Sequence, residues 1–559
     1  QASVRIDEHG VPHLGGSTSA AVYFAQGFTH AYLRVAQMEL VSRMIEGSFS
    51  EVRGPEGLAD DRIALYFGLD RAAKKSLEKI NADPVTRTAL EVYVAGVNAR
   101  ISRLTEKTIP LEFRQIGMRP RKFEPLDSAR IMTLMAWRLS NSFDELKLTK
   151  TLARLGPKDF AELFPWPDFS KDGGTFQARR RFQNRVPPAR TWIGDDEEIF
   201  DIMARSLLRT APNTGSNTFS IIPSKTKSKA SLMGSDFHAY YVLPSTFLPM
   251  QLVSPEFNVI GSSIAGLPML LTGTNGEVAW SYVSSLSDTY DWFRLEIDPN
   301  ESDRYKWNGQ WKKFETETIE LHPRGAPAEQ FTRRTSIAGD MIPAIRSSGA
   351  EGKITELAHR WAGGEGINGL RAYHDRMTMK SAADCGVETS RDNSRALNLM
   401  CIDRKGRRGI WMMSKLPKRP SHQDPRFVAR ATSDRDVWTG FHSSSKSPSM
   451  YPIPEKLRKP VVLANQFSRS NSGEPYVGWK FASPDRARRL EKLLSEDRVW
   501  GSEDVLGVLS DVTSARSEWV HPRFLEVARH YIDQAPPELS DCARQVFGRI
   551  EKWDGRYEP

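Results

Sequence analysis

The sequence predicts a protein of the α+β class, in which helical and strand-forming segments occupy separate stretches of the chain. Three observations support this prediction. Helical patterning runs from about residue 17 to about residue 164, strand patterning begins at Asn217, and helical patterning returns from Pro484 onward. The chain has 559 residues, of which 39% are hydrophobic and 26% are charged, which is typical of a globular protein.

A short strand and a long helix open the chain. Val4 to Leu14 read as a strand that is closed by a turn with glycine and proline. Ser17 to Ser19 then offer helix caps, because Ser and Thr side chains accept hydrogen bonds from the first free amides of a helix. Apolar residues follow at intervals of four and three, as on one helix face: Ala21, Ala25, Phe28, Tyr32 and Val35.

Residues 165–215 have the character of a connector. The segment holds a Gly173-Gly174 pair, a Pro187-Pro188 pair and an acidic run from Asp195 to Glu198. It also holds a cluster of arginines: Arg179, Arg180, Arg181, Arg185 and Arg190. Because blocks of like charge repel each other and stay solvated, we expect a poorly packed linker that is accessible to cleavage.

Strand signals dominate the region after the connector. Thr218 to Ile222 is predicted to be a strand, Pro223 to Lys229 a polar turn, and Ala230 to Met233 the returning strand. Asn308-Gly309 lies inside the segment from Tyr305 to Trp311 and is a strong signal for a two-residue hairpin turn.

Composition excludes several classes of protein. The 26 Phe, 14 Trp and 14 Tyr residues supply too much buried surface for a disordered chain. No run of 18 apolar residues occurs, so no membrane span is expected. A net charge of +9 is small for this length and partly local to the connector, so no nucleic-acid partner is expected. The cysteines Cys385, Cys401 and Cys542 allow one disulfide, which the sequence does not pair.

A serine and a histidine are expected side by side in the first hairpin. If residues 216–222 and 230–238 pair around a turn centred near residue 227, Ser216 lies opposite His238, within a residue or two of register. Ser216 also follows Gly215 at the end of the connector. Such a serine can attack the preceding carbonyl, and hydrolysis of the resulting ester frees an amino-terminal serine. A terminal α-amine has a pKa of about 7.7–8.0, so one residue could supply both nucleophile and base.

Several motifs in a fixed order carry a family resemblance that covers essentially the whole chain. They are Asp7 to Leu14, Ala31 to Glu39, Glu46 to Glu51, Gly215 to Phe219, Ser235 to His238, Gly266 to Gly276, Ala279-Trp280 and Asp288. In these motifs the chain resembles the penicillin acylase family of N-terminal-nucleophile hydrolases, and in particular its cephalosporin, acyl-homoserine-lactone and aculeacin acylases. Each motif alone is weak, whereas the set in this order is highly specific.

The resemblance implies a role for each matching residue. Ser216 would be the nucleophile, and its α-amine would be the base. His238 falls where these acylases place a histidine beside the serine. The oxyanion would be held by the backbone N–H of Ser284 and by the side-chain amide of Asn465, which Arg486 would orient. No cofactor is implied for catalysis, and the substrate would be a small-molecule amide.

The resemblance further implies a structural calcium ion. Its carboxylate ligands would be Glu145, Asp288 and Asp291, because hard oxygen ligands suit Ca²⁺. Solvation at the surface or an ion pair is the alternative role for these acids.

The acyl pocket is expected to differ from that of phenylacetyl-specific relatives. Leu139 and Ala239 stand where those enzymes carry phenylalanine. The loss of aromatic bulk favours a longer aliphatic or larger acyl group. The further wall candidates, for which ordinary core packing is the alternative, are Met135, Phe219 and Tyr240.

The fold implied by the resemblance is a four-layer αββα sandwich with a largely helical amino-terminal subunit. Residues 1–176 would form the small subunit, residues 177–215 the spacer, and residues 216–559 the large subunit. Self-cleavage at Gly215-Ser216 would yield a heterodimer of the two subunits. A periplasmic or secreted location is implied by the family alone, since no signal peptide is present in the sequence.

Two other functions stay open. Phe237 replaces the proline that usually precedes the histidine, and relatives usually continue well beyond Pro559, so the domain is expected to be cut short at its carboxyl end. The chain could therefore be an unprocessed or inactive member that acts as a binding scaffold. A penicillin-binding or β-lactamase-like serine enzyme is a distant alternative. It rests on three Ser-x-x-Lys matches without the accompanying motifs: Ser76/Lys79, Ser224/Lys227 and Ser443/Lys446.

Overall fold

The computed structural model of the protein describes most of the chain outside the connector. The described residues are 1–140, 143–165, 215–239, 242–348, 354–391, 396–447, 449–453, 460–466, 475–532, 534 and 536–557. Residues 166–214 of the predicted connector lie outside this set, as does Tyr240.

Helices occupy the amino-terminal part and the carboxyl-terminal part, as the sequence predicts. The helices in the described ranges are α1 (Ser19–Glu46), α2 (Ser50–Arg53), α3 (Leu58–Tyr66), α4 (Leu69–Ala82), α5 (Pro84–Ile101), α6 (Leu111–Gln115), α7 (Pro125–Ser140), α8 (Asp144–Leu163), α9 (Leu370–Arg376), α10 (Asp384–Arg391), α11 (Asp485–Leu494), α12 (Ser502–Leu509), α13 (Ser517–Ile532) and α14 (Pro537–Glu551). Within these ranges no helix is both long enough and apolar enough to cross a membrane.

Strands fill most of the region between the two helical parts. They are β1 (Ala2–Ile6), β2 (Pro12–Gly16), β3 (Gly215–Ile221), β4 (Leu232–His238), β5 (Leu248–Val253), β6 (Asn258–Ser263), β7 (Thr272–Thr274), β8 (Val278–Ser284), β9 (Tyr290–Glu296), β10 (Arg304–Trp307), β11 (Gln310–Lys313), β12 (Glu315–Leu321), β13 (Glu329–Ser336), β14 (Gly339–Ser348), β15 (Ile354–Trp361), β16 (Leu397–Asp403), β17 (Arg408–Met413), β18 (Ala429–Arg430), β19 (Ser449–Met450) and β20 (Val461–Leu463).

The strands of the described residues form three larger sheets and one hairpin. A nine-stranded sheet has the order β1-β2-β5-β6-β7-β8-β16-β17-β19, a six-stranded sheet the order β12-β13-β14-β15-β9-β18, and a three-stranded sheet the order β20-β3-β4. The hairpin of β10 and β11 turns at Asn308-Gly309, and both residues have a positive φ, which is what this dipeptide predicts. A disulfide joins Cys385 to Cys401, which pairs two of the three cysteines.

Four layers stack in the order helix, sheet, sheet, helix, which confirms the predicted fold class. The main hydrophobic core lies between the amino-terminal helices and the nine-stranded sheet, and it contains both Trp137 of α7 and Trp280 of β8. The three-stranded sheet packs against β8. A second core, which includes Phe219 and Leu490, lies between that small sheet and the helices α11 and α12.

Helix α1 begins as predicted, but its predicted apolar face is only partly buried. Thr18 caps it by accepting a hydrogen bond from the backbone of Ala21. Tyr32 is 59% exposed, because it lies on the outer side of the helix under the guanidinium group of Arg100. The inner side instead contacts α5 closely through Gly27, where a Cβ atom would lie only 2.0 Å from the backbone oxygen of Tyr93.

Candidate active site

Ser216 lies at the start of β3, the central strand of the three-stranded sheet. It is 8% exposed. Its backbone N–H donates to Asn465 Oδ1 at 2.8 Å, and its backbone carbonyl accepts from Arg486 Nη1 at 3.1 Å. Ser216 and Gly215 are adjacent residues of one continuous strand, so the Ser216 nitrogen is an amide in this uncleaved chain.

Asn465 connects Ser216 to the nine-stranded sheet. Asn465 lies just after β20 and has a φ of +63°. This is a left-handed backbone conformation, which asparagine tolerates better than most residues. Its Oδ1 atom accepts from Ser216 and also from Arg486 Nη2 at 2.8 Å. Its Nδ2 atom donates to the backbone oxygen of Ser284 at 2.9 Å. Three residues predicted to act together are thus in direct contact with this one amide.

Arg486 lies in the first turn of α11, and its side chain contacts the backbone of Ser216. Besides Ser216 and Asn465, its guanidinium group contacts Asn217 Oδ1 through Nη1 at 2.8 Å. Burial lowers the pKa of Arg486, and the charge of nearby Asp236 opposes that effect. The planar guanidinium group donates to three oxygen acceptors at once, those of Ser216, Asn217 and Asn465. A lysine in its place could not reproduce this arrangement.

The backbone of Ser284 is turned toward Asn465 rather than toward the neighbouring strand. The next residue, Ser285, donates its N–H to Ala396 in the ladder between β8 and β16. Because hydrogen-bonding direction alternates along an antiparallel strand, the N–H and the C=O of Ser284 point to the opposite side. The carbonyl accepts from Asn465 there, and the N–H of Ser284 faces the same side.

The hairpin of β3 and β4 forms as predicted, but its register differs by one residue. Gly215 lies opposite His238, and Ser216 lies opposite Phe237. This shift of one residue lies within the expected tolerance, but because opposed residues share a sheet face, the side chains of Ser216 and His238 leave on opposite faces. No hydrogen bond links the two side chains among the described residues. The shift arises in the turn, which contains a 3₁₀ segment at Pro223–Lys225.

His238 is instead paired with Asp236, a residue that the sequence analysis did not single out. Nε2 of His238 lies 2.9 Å from Asp236 Oδ2, and Asn217 Nδ2 lies 3.1 Å from the same ring nitrogen. We assign the ring proton to Nε2, because a carboxylate oxygen can only accept and makes the shorter contact. Nδ1 is then an acceptor, and it lies 3.1 Å from the point where a Cβ of Gly215 would be.

A large cleft opens in front of Ser216. It has a volume of about 2130 Å³, which is more than the roughly 300–1,000 Å³ of a typical small-molecule pocket. Its lining combines apolar side chains with charged and polar ones. The apolar lining includes Met135, Leu139, Phe237, Ala239, Phe247, Ile264 and Leu271. The polar lining includes Arg486, Arg489, Asp511, Thr513 and Arg516.

The predicted pocket residues divide into two groups. Met135, Leu139 and Ala239 line the cleft as expected. Phe219 does not: it is fully buried in the core beneath α11 and α12, with its ring against Gly234. Phe219 is three residues from Ser216 on one strand, so the two side chains lie on opposite faces.

Two aromatic side chains that were not predicted as pocket walls face the cleft. Phe237 lies directly opposite Ser216, and its ring packs against that of Phe247 at a centroid distance of 4.8 Å. The sequence showed Phe237 only as a departure from the usual proline.

The predicted calcium ligands also come together. Glu145, Asp288 and Asp291 place carboxylate oxygens within 4.8 Å of one another. Arg419 lies among them and bonds to Asp288 and Asp291. Because oxygens of both aspartates already accept hydrogen bonds from a cation, the ligand set as it stands does not fit a calcium ion.

Burial is the largest influence on the pKa of two of these acids, Glu145 and Asp288. It raises the pKa of Glu145 well above its usual value, and the charges of Asp291 and Asp288 raise it further. Burial likewise raises the pKa of Asp288 to about 7, although Arg419 opposes the shift. Burial lowers the pKa of Arg419, but the two aspartates outweigh it and hold that pKa above its usual value.

The two residues of the first Ser-x-x-Lys match have structural roles. Ser76 donates its hydroxyl proton to the backbone oxygen of Ala72 within α4, and Lys79 donates to the backbone oxygen of Gly366. This serine and lysine are therefore engaged with the backbone.

Comparison with known proteins gives a consistent result. The family model described as penicillin amidase matches residues 1–559. Acyl-homoserine lactone acylase QuiP of Pseudomonas aeruginosa is 26% identical over 99% of this chain and 66% of its own length. Penicillin G acylase of Escherichia coli is 22% identical over 98% of this chain and 69% of its own length. The chain thus spans about two thirds of the length of these curated relatives.

Among solved structures, the thermostable penicillin G acylase from Alcaligenes faecalis is similar over 61% of this chain and 60% of its own, with 19% identity and a TM-score of 0.48.

Proposed function

This chain belongs to the penicillin amidase family, and we propose that it is an acylase that hydrolyses the amide of a hydrophobic acyl group through Ser216. The observation that carries the proposal is the convergence of Asn465, Arg486 and Ser284 around Ser216 at the edge of a half-apolar cleft. Relatives are named as acylases, and these names support amide hydrolysis as the reaction class.

Activation would begin with cleavage of the chain at Gly215-Ser216. The hydroxyl oxygen of Ser216 attacks the carbonyl carbon of Gly215, the carbon–nitrogen bond breaks, and the nitrogen takes up a proton. Water then hydrolyses the ester, which leaves a carboxylate at Gly215 and a free α-amine at Ser216. Contacts at the bond support this step, because Asn465 holds the nitrogen while alternation along the strand turns the Gly215 carbonyl toward β4.

His238 and Asp236 would serve the ester hydrolysis. The proton shared with Asp236 lies on Nε2, so Nδ1 can accept a proton from a water molecule. Nδ1 faces Gly215, which is the acyl side of the ester. We therefore assign His238 to the hydrolysis step and Asp236 to the orientation of its ring.

The mature enzyme would use the freed α-amine of Ser216 as its general base. Asn465 Oδ1 would keep accepting from that nitrogen and so orient its lone pair toward the serine hydroxyl. The amide of Asn465 has two N–H groups, of which one donates to Ser284. The second, together with the backbone N–H of Ser284, would stabilise the oxyanion. No cofactor takes part in this cycle.

Two subunits would result, a small one of residues 1–176 and a large one of residues 216–559, with residues 177–215 as the spacer. Their association is supported by the shared core, in which Trp137 and Trp280 belong to different subunits. The two subunits of this heterodimer would be held together by core contacts that already exist before cleavage.

The acyl group would occupy the apolar side of the cleft. Leu139 and Ala239 leave room there that phenylalanine would fill, while Met135 and Phe237 form walls. We propose a longer aliphatic or otherwise large acyl group rather than phenylacetyl. The leaving amine would lie on the polar side, near Arg486 and Thr513.

A periplasmic or secreted location is supported by the disulfide between Cys385 and Cys401. Such bonds persist in oxidising compartments and are rare in the cytosol.

A panel of amides that differ only in acyl length tests the proposed activity. We expect turnover to peak on longer aliphatic acyl groups and to vanish in Ser216→Ala. Best turnover on phenylacetyl amides would contradict the acyl preference. A pure, folded protein that hydrolyses none of the amides would contradict the enzyme function and favour a binding scaffold.

A further inference from the structure

Arg419 contacts two of the three carboxylates that the family resemblance assigns to calcium, those of Asp288 and Asp291. Its side chain is only 9% exposed. Its Nε atom lies 3.1 Å and 2.7 Å from the two carboxylate oxygens of Asp291. Its Nη2 atom donates to Asp288 twice, to Oδ1 at 2.7 Å and to the backbone oxygen at 3.0 Å. One guanidinium group therefore engages oxygens of both aspartates.

Each of the three carboxylates also accepts a hydrogen bond from an uncharged donor. The hydroxyl of Tyr476 donates to Asp288 Oδ2 at 2.9 Å, and the indole N–H of Trp438 donates to Asp291 Oδ2. Glu145 accepts from the backbone N–H of Trp292 at 3.1 Å. Calcium needs six to eight oxygen ligands, so it could bind only where most of these donors had moved away.

Two aromatic rings hold the guanidinium group in place. Its central carbon lies 5.3 Å from the ring centre of Tyr476 and 5.9 Å from that of Trp438. Arginine stacks on aromatic faces while its edge donates to carboxylates, and both interactions are present here. A divalent cation at the same point would also be repelled by the fixed positive charge.

We propose that Arg419 is the resident cation of this cluster and that it takes the structural place of a metal ion, so that the folded protein binds no calcium there. Its guanidinium group holds Asp288 and Asp291 together beside Glu145 of α8, which is the place a calcium ion would take. Stability of the fold should therefore not depend on calcium.

The wild-type protein provides the direct test. After dialysis against EDTA, we expect purified protein to contain far less than one calcium ion per chain by elemental analysis. We also expect the same melting temperature in EDTA, in calcium chloride and in magnesium chloride. One calcium ion per chain that survives dialysis, or a melting temperature that falls in EDTA and rises again with calcium alone, would overturn the proposal.

Removing Arg419 should create the calcium dependence that the wild-type protein lacks. Arg419→Ala removes the cation and leaves three converging carboxylates, so it should melt several degrees lower and recover part of that loss with calcium but not with magnesium. Arg419→Lys keeps a charge and should not gain a calcium response. Lys418→Ala, at the exposed neighbouring residue, is the matched control and should match the wild type.

An Arg419→Ala protein that folds and shows no calcium response would contradict the proposal. If Arg419→Ala fails to fold, the calcium content and the melting temperatures of the wild-type protein still test the proposal. None of these readouts uses enzymatic activity, so they stand apart from the proposed function.

Discussion

Asn465 joins both parts of the proposed site, because its side-chain oxygen accepts from Ser216 and its side-chain nitrogen donates to Ser284. Asn465→Asp keeps the acceptor and loses the donor. We expect it to lower turnover by about 100- to 1,000-fold, the usual effect of losing one oxyanion donor. Steady-state kinetics on the best amide measures this. Asn465→Ala lacks both the donor and the acceptor and should lower turnover further. An Asn465→Asp enzyme with full turnover would exclude the oxyanion role.

Asp236 offers a test of the role of His238 without altering the histidine. Asp236→Asn should slow self-cleavage by at least about tenfold, since general base catalysis contributes roughly 10²–10⁴-fold and depends on ring orientation. Asp236→Glu should restore part of the rate. Asp144→Asn is a suitable control, because that side chain is 29% exposed against 35% for Asp236. Equal cleavage rates in all variants would remove Asp236 from the mechanism.

Ser216, His238, Asn465 and Arg486 could be proposed as site residues from the sequence, because each belongs to a short motif whose order along the chain is specific. Asp236 could have been found by the same means, since residues two apart on a strand share a face. Arg419 could not, because it lies 128 residues from Asp291 in the chain and no local pattern marks it.

The β3–β4 hairpin is the element that sets the geometry of cleavage, and Gly215 leaves little room for a side chain at the bond to be cleaved. A Cβ atom there would lie 3.0 Å from Asn465 Oδ1 and 3.1 Å from both Arg486 Nη2 and His238 Nδ1. Gly215→Ala should therefore slow self-cleavage, and Gly215→Val should slow it more, because both displace the groups that hold the bond. Electrophoresis over time measures the rate.

Gly364→Ala is the matched control for this series, since a Cβ there meets nothing within 4 Å. Cleavage of Gly215→Val at the wild-type rate would show that space at Gly215 does not matter.

The register of this hairpin could be predicted only to within a residue or two, because the turn and not the strands determines it. The strands could be predicted from alternation, whereas the 3₁₀ segment at Pro223–Lys225 and the positive φ of Lys229 could not. A shift of one residue exchanges the two faces, which is why Phe237 rather than His238 lies opposite Ser216.

Helix α7 carries the side chain that should control acyl length. Leu139→Phe adds bulk to the cleft wall and should shift the preferred substrate toward shorter acyl groups. The ratio of kcat/KM for long and short acyl amides measures this shift. Leu155→Phe, at a position on α8 that is 37% exposed, should leave the ratio unchanged. An unchanged ratio in Leu139→Phe would place the acyl group elsewhere.

At the scale of the whole molecule, the layers could be predicted but the sheet order could not. Helical and strand patterns are local, and they predicted which parts of the chain form which layer. The pairing of β9 with both β15 and β18 joins segments that are far apart in sequence, and such pairing leaves no trace in local alternation.

The main core draws on both sides of Ser216. It packs Trp137 and Leu146 against Trp280 and Met250. Cleavage at Gly215-Ser216 would therefore leave the buried apolar surface intact, and the two subunits should stay together under native conditions.

Intact mass of the purified protein, with native size-exclusion chromatography of the same sample, tests the central claim most directly. We predict two fragments, the larger beginning at Ser216, that elute together as one particle, and a single full-length chain in Ser216→Ala. A wild-type protein that stays one unbroken chain, or cleavage at the same bond in Ser216→Ala, would contradict the claim that Ser216 is a self-released amino-terminal nucleophile.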